Sequence, residues 1–169
     1  MTAPTEASAS VSAERLRETV GTFPSGVTII TTVDGGEDVG MTVSSFASLS
    51  LEPAMVSFSL ALSSSKIKHF RVGSPVGISV LADHQAEYAR QFSRKVADRF
   101  EGVDVWRNSE PRLITDAAAW FDGEIAAAYP GGDHTIFTVL VKECGTHDEA
   151  KPLLYQRGQM NNWSVEYSI

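Results

Sequence analysis

The chain has 169 residues, enough for one domain that buries about two-thirds of its unfolded surface. Hydrophobic residues at 43% and charged residues at 21% match a folded globular composition, so disorder is not the default. A net charge of −7 argues against a sequence-independent nucleic-acid binder, which needs a basic face, but leaves small anionic ligands open.

Residues 1–11, rich in Ala, Ser and Thr, read as a disordered tail, with one domain expected over 12–169. Ser12 is placed to cap a short helix carrying Leu16 and Val20 on one face and ending at Gly21. The β-branched run Gly26 to Val33, closed by Asp34-Gly35-Gly36, predicts a strand and a turn. Val39 to Leu51 predicts a second extended stretch, and Ala54 to Leu62 alternates as a third strand after Glu52-Pro53. A short helical or loop segment over Ser63 to Val72 precedes a strand at Val76 to Leu81.

The spacing of Ala89, Phe92, Val96 and Phe100 predicts a helix with one apolar stripe, capped by Asp83. Gly102 to Arg112 reads as irregular. Ala117 to Tyr129 is rich in alanine, yet its aromatic residues break the helical period, so a strand is expected. Pro130-Gly131-Gly132 predicts a turn into a strand at Thr135 to Val141, and a last short strand is expected near Leu153-Leu154-Tyr155. Strands outnumber helices without regular βα alternation, which points to a mainly β fold, a barrel with peripheral helices.

Several chemistries are set aside. Cys144 is the only cysteine, which excludes an intrachain disulfide and a cysteine-based zinc site. The scattered histidines show no metal-binding spacing, so no metal is expected. No G-x-G-x-x-G, Walker A or G-x-S-x-G motif occurs. The N-terminus lacks the basic start and apolar core of a secretory signal, and the uncharged run from Val39 to Leu51 is too short to span a bilayer. A cytoplasmic protein without a membrane or nucleic-acid partner is expected.

The informative segment is Gly40 to Ser50, with four serines and a threonine between Thr42 and Ser50. A buried strand disfavours such residues, because each unpaired polar group costs about 1–3 kcal/mol. The pattern suits a surface that meets a polar ligand through short donors and backbone N–H groups. Composition alone leaves a second reading open, a serine-rich strand on the wet face of a sheet. Seven of the fourteen Lys and Arg residues lie between Lys66 and Arg99, which is either a solvated face or local positive charge for an anion.

The segment resembles the signature of the flavin reductase family, FMN-binding split β-barrels that serve as reductase components of two-component flavin-dependent monooxygenases. That family carries G-x-T-x-S/N-S-F-x-S-x-S-L-x-P after a P-x-G-V-x-V-x-T strand. Here Pro24 to Thr31 and Gly40 through Pro53 supply both. The resemblance continues through Ile78 to Leu81, Gln85 to Phe92 before Arg94-Lys95, Phe100-Glu101-Gly102-Val103, Gly132 to Phe137 and Pro152 to Tyr155, in the family's order. Three positions depart from it. Trp120 stands where many members have Cys, Ala54 replaces a second Pro, and Thr138 follows Phe137 where a small residue is frequent.

The resemblance implies an NAD(P)H:flavin oxidoreductase that uses FMN or FAD with NADH or NADPH, works as a homodimer, and hands reduced flavin to a monooxygenase. It places Met41, Thr42, Val43, Ser44, Ser45, Ser48 and Ser50 along the flavin, their hydroxyls and amides bonding the ribityl chain, phosphate and pyrimidine edge. Pro24, Ser25, Gly26 and Val27 are expected against the isoalloxazine ring, and Ser65, Lys66 and Lys95 at the phosphate. His134, in Gly132-Asp133-His134, is the expected catalytic residue on the nicotinamide side, with Tyr155 beside the cofactor. Direct transfer from nicotinamide C4 to flavin N5 needs alignment at about 3–3.5 Å and no general base. The rival reading is a non-catalytic flavin-binding protein for storage or sensing. It keeps the Thr42 to Ser48 surface but has no need of His134.

Overall fold

Residues 44–46 join two strands that lie at opposite ends of one sheet. The computed structural model describes residues 11–106 and 110–162. The expected N-terminal tail lies outside them apart from Val11. Helix α1 (Ala13–Val20) opens the described chain, with the Ser12 hydroxyl accepting from the Arg15 amide at 3.2 Å and Gly21 at its end. Strands β1 (Ser25–Gly26), β2 (Thr28–Asp34), β3 (Glu37–Val43), β4 (Ala47–Leu51), β5 (Ala54–Ala61) and β6 (Pro75–Val80) follow. After helix α2 (Ala86–Ser93) come β7 (Ala119–Gly131), β8 (His134–Thr146), β9 (Leu154–Gln156) and β10 (Gln159–Asn161).

The larger sheet has the order β3-β2-β6-β7-β8-β5-β4, all neighbours antiparallel. Laid flat, its end strands would be about 29 Å apart at roughly 4.8 Å per strand. The link from Val43 to Ala47 spans at most about 14 Å. The sheet therefore curls until its ends nearly meet, giving a barrel with a split between β3 and the β4–β5 edge. A small second sheet, β1-β9-β10, closes one end.

Two buried clusters fill the structure. Inside the barrel, Phe58 and Phe137 stack at 5.3 Å among Ile30, Val39, Ile78 and Val139. The second cluster holds α2 against the outside of the barrel through Ala89, Phe92, Val27, Ile29, Leu81 and Leu153. Burying Phe92 completely contributes about 1.5–3 kcal/mol.

The structure corrects four expectations about local structure. Val39 to Leu51 is not one extended stretch, because the barrel needs a corner at Ser44-Ser45-Phe46 to pass from one sheet end to the other. Helix α2 stops at Ser93, where Arg94 turns extended, so Val96 and Phe100 lie beyond it. Phe100 still reaches the stripe by returning edge-on to Phe92 at 4.9 Å, which is why its spacing imitated a helix. The cap before α2 is not Asp83. Gln85 Oε1 accepts from the Ala82 amide at 3.0 Å across a 3₁₀ turn over Asp83–Gln85. Finally, Pro130 and Gly131 belong to β7, paired with Thr135 and His134, so the turn falls on Gly132-Asp133, where Gly132 has φ +68°.

The strand preferred for Ala117 to Tyr129 is present as β7, and β8 extends the expected Thr135 to Val141 strand at both ends. No helix among the described residues is long and apolar enough to cross a membrane.

Candidate functional site

A cleft of about 1170 Å³ opens where α1, the small sheet and the barrel corner meet. Its walls include Phe23, Pro24, Ser25 and Gly26 on one side, Ser44, Ser45, Phe46 and Ala47 on another, and Tyr155 to Gly158 on a third. The small sheet makes this convergence possible. Ser25 pairs with Tyr155 and Gly26 with Leu154, so the P-x-G-V segment and the chain's last strands form one surface.

Of the residues expected at the cofactor, the structure brings Pro24, Ser25, Gly26, Ser44, Ser45 and Tyr155 to this cleft. The hydroxyls of Ser25, Ser44 and Tyr155 have no hydrogen-bond partner among the described residues and are free to meet a ligand. A Cβ built on Gly26 meets no atom within 4 Å, so that strand offers bare backbone to the cleft, which a planar ring can approach. Phe23 is 76% exposed and supplies apolar surface. A roomy, partly apolar cleft with a few uncommitted donors fits a flavin and a nicotinamide group.

The side chains of the other expected residues are engaged in the frame or lie outside the lining of this cleft. Val27 and Val43 are in the core, 2% and 8% exposed, and their side chains do not reach the cleft. Met41 packs on the barrel core, and the Thr42 hydroxyl donates to the Ala89 carbonyl at 2.7 Å, pinning β3 to α2. The Ser45 hydroxyl donates to the Ser59 carbonyl at 3.0 Å and accepts from the Ser59 amide at 2.9 Å. Ser48 and Ser50 lie along β4, on either side of a register shift.

The expected phosphate residues do not line this cleft. Lys66 sits 3.8 Å from Glu37 and lines a second cleft of about 510 Å³ with Gly40, Val96, Arg99 and Arg112. Ser65 and Lys95 are exposed beside residues of that second cleft. Arg99 reaches across it to donate to the Gly40 carbonyl at 2.6 Å and to the Arg94 carbonyl at 2.9 Å. Its partial burial pulls the guanidinium pKa below its ordinary value.

His134 stands at the start of β8, opposite Ala61 on β5. Ser59, the partner of Ser45, is two positions back along β5, about 7 Å along the strand. The ring Nδ1–H of His134 donates to Asp133 Oδ1 at 2.7 Å, which leaves Nε2 as the nitrogen available to a ligand. That hydrogen bond holds the Asp133 carboxyl below its ordinary value of 3.8.

The sequence reading missed Phe23, Phe46, Arg157 and Gly158 as cleft residues. Only Gly158 carried a local signal, as a turn residue after the short strand expected near Leu153-Leu154-Tyr155. Among the described residues, no group of three or more His, Cys, Asp or Glu side chains is arranged to hold a metal.

A split barrel with a cleft built on its serine-rich corner defines a class of small flavin-binding barrels, and the comparisons agree. The family description "Flavin reductase like domain" matches residues 20–164. The chain belongs to the flavin reductase family, and it is an oxidoreductase. It is similar to the NADH:FMN oxidoreductase of Rhodococcus erythropolis, 33% identical over 91% of this chain and 83% of that protein. It is 34% identical to the reductase subunit HsaB of a flavin-dependent monooxygenase from Mycobacterium tuberculosis, over 89% of this chain and 82% of the relative.

Among solved structures, the NADH:FAD oxidoreductase SgcE6 of Streptomyces globisporus, in complex with NAD and FAD fragments, superposes with a TM-score of 0.85. The identity is 32%, with 92% of this chain and 94% of that one covered. The styrene monooxygenase flavin reductase of Pseudomonas putida gives a TM-score of 0.81 and 29% identity over 90% of this chain and 99% of the other.

Proposed function

We propose that this protein is an NAD(P)H-dependent flavin reductase that reduces FMN or FAD in the cleft and supplies the reduced flavin to a partner monooxygenase. The observation that carries the reading is the meeting of Pro24 to Gly26, Ser44 to Ala47 and Tyr155 in one cleft, with three uncommitted hydroxyls. When bound, the flavin provides the two-electron acceptor for a hydride from the nicotinamide.

The chain's own work is binding and alignment. Gly26 and Pro24 give a flat wall, Phe23 and Phe46 exclude water, and the Ser25, Ser44 and Tyr155 hydroxyls orient polar edges. Ser45 holds the corner on β5, and Thr42 holds β3 on α2, so the donors keep their places. Asp133 fixes the tautomer of His134, which stands outside the cleft lining, on the strand next to the Ser45–Ser59 anchor, and whose Nε2 is the group assigned to the nicotinamide side. No residue has to remove a proton.

A homodimer belongs to the same proposal. Edge strand β4 exposes Leu49 and Leu51, the latter 94%, and β8 exposes Ile136 and Leu140. Leu49 and Leu51 lie on the sheet's edge strand and Ile136 and Leu140 on the interior strand β8, and exposed apolar residues of both kinds are a liability that a second copy removes.

The test is anaerobic reduction of added FMN and FAD by NADH and NADPH, followed as loss of visible flavin absorbance. Catalysed bleaching at turnover rates supports the reductase and reads out both cofactor preferences. Flavin that binds without accelerated bleaching makes the protein a binding module instead.

A further inference from the structure

Two arginines in the main cleft have no task in the fold. Arg17, in the last turn of α1, and Arg157, in the β9–β10 turn, both line the cleft, and neither guanidinium has a hydrogen bond or ion pair among the described residues. They are tied together through one residue. The Gly21 amide donates to the Arg17 carbonyl at 2.9 Å, and the Arg157 amide donates to the Gly21 carbonyl at 3.0 Å. A Cβ on Gly21 would lie 3.0 Å from the Arg17 carbonyl oxygen and 3.7 Å from the Arg157 Cα, so the helix end and the turn are in direct contact.

The backbone of Arg157 is the second observation. It has φ +50° and is followed by Gly158 at φ +79°, the pattern of a primed two-residue hairpin turn. Asn or Gly fills the first position of such a turn with less strain than Arg. The backbone preference of the turn therefore does not account for an arginine at this position on the cleft wall. Two acids share the wall, Glu14 and Glu18. Glu18 lies 3.7 Å from Arg15, and neither acid is paired with Arg17 or Arg157.

We propose that Arg17 and Arg157 form an anion site that holds a phosphate group of a bound cofactor, either of the nicotinamide dinucleotide or of the flavin. The inference rests on the cleft being the cofactor site. It places the phosphate contact on the small sheet and α1, away from Lys66 and the second cleft. Planar guanidiniums suit phosphate oxygens, and neither has another partner to give up on binding.

The experiment compares wild type with Arg157→Asn and Arg17→Gln in steady-state reduction assays. Each is run with NADH against N-benzyl-1,4-dihydronicotinamide, a hydride donor without phosphate, and with FMN against riboflavin. Arg157→Asn is expected to melt no lower than wild type, because Asn suits the left-handed position. Each variant is expected to raise one KM by about tenfold, the loss of one charge-assisted hydrogen bond, with kcat nearly unchanged. A rise for NADH that vanishes with the benzyl donor assigns the phosphate to the nicotinamide dinucleotide. A rise for FMN that vanishes with riboflavin assigns it to the flavin.

Unchanged KM values for both phosphorylated cofactors overturn the site, as does an equal loss with the phosphate-free pair. A wild type that reduces none of the acceptors overturns the reductase reading instead. The site is then judged by fluorescence titration with FMN and riboflavin. Weaker FMN binding in the variants with riboflavin binding unchanged, or weaker NADH binding in a parallel titration, supports it, and no change for either phosphorylated cofactor overturns it.

Discussion

The hydroxyl of Ser45 satisfies both backbone groups of Ser59, giving to its carbonyl at 3.0 Å and taking from its amide at 2.9 Å. A side chain thereby does what a strand would do in a closed barrel. It stitches the corner after β3 to β5 at the place where the sheet is split. The serine that the motif offers as a flavin donor is thus already occupied in holding the cleft open. Its neighbour Ser44 carries the free hydroxyl.

Replacing Ser45 with Ala removes both hydrogen bonds at an exposed position, at a cost of about 1–2 kcal/mol. At roughly 2–4 °C per kcal/mol, the melting temperature should fall by several degrees. Flavin binding should weaken as the corner loosens, read by fluorescence titration, whereas Ser44→Ala should weaken flavin binding with little change in melting.

Gly40 sits under the ring of Phe92. A Cβ there would fall 2.5 Å from Phe92 Cε1 and 3.1 Å from Phe100 Cζ, and Phe92 is fully buried with no room to retreat. Gly40→Ala should cost about 1–3 kcal/mol through overpacking, seen as a lowered denaturant midpoint. A midpoint equal to wild type would mean that α2 rides more loosely on β3 than the structure shows.

Asp34, at the end of β2, accepts from His69 Nδ1 at 2.8 Å and from Arg71 Nη1 and Nη2 at 3.2 and 3.4 Å. The His69 hydrogen bond, helped by Arg71 and opposed by burial, holds its carboxyl below the ordinary value of 3.8. A lowered folded-state pKa gives stability that is present above 3.8 and is lost as pH falls through the lower folded value. The stability gap between wild type and Asp34→Asn should therefore hold from neutral pH into mild acid and close only in strong acid. Urea midpoints across that range measure it, and a gap that does not change with pH refutes the assignment.

Leu51 on the edge strand is 94% exposed. If a second copy covers β4 and β8, Leu51→Glu places a charge in that contact and should shift the protein toward monomer in light scattering. A monomeric wild type removes the homodimer from the proposal.

Much of the architecture was legible because it is written locally. Alternation marks β5 as a half-buried strand, β-branched residues mark β2, and Ser12 and Gly21 bracket α1. The ordered motifs pointed to the flavin reductase family, and the family comparison agrees. The spacing overstates the length of helix α2 because Phe100 returns to the same apolar stripe through a loop, which spacing cannot distinguish from another helical turn.

The sequence by itself determined the class of fold, the family and the segments from which the cleft is built, since periodicity, turn residues and motifs act over a few neighbouring positions. Only the tertiary structure decided which hydroxyls are free. Ser45 and Thr42 look like their neighbours until their partners, Ser59 and Ala89, arrive from other elements. It also decided that Lys66 faces a different cleft from Arg17 and Arg157. Those pairings depend on the curl of the seven-stranded sheet and on β1 meeting β9, contacts between distant parts of the chain that no local pattern of residues specifies.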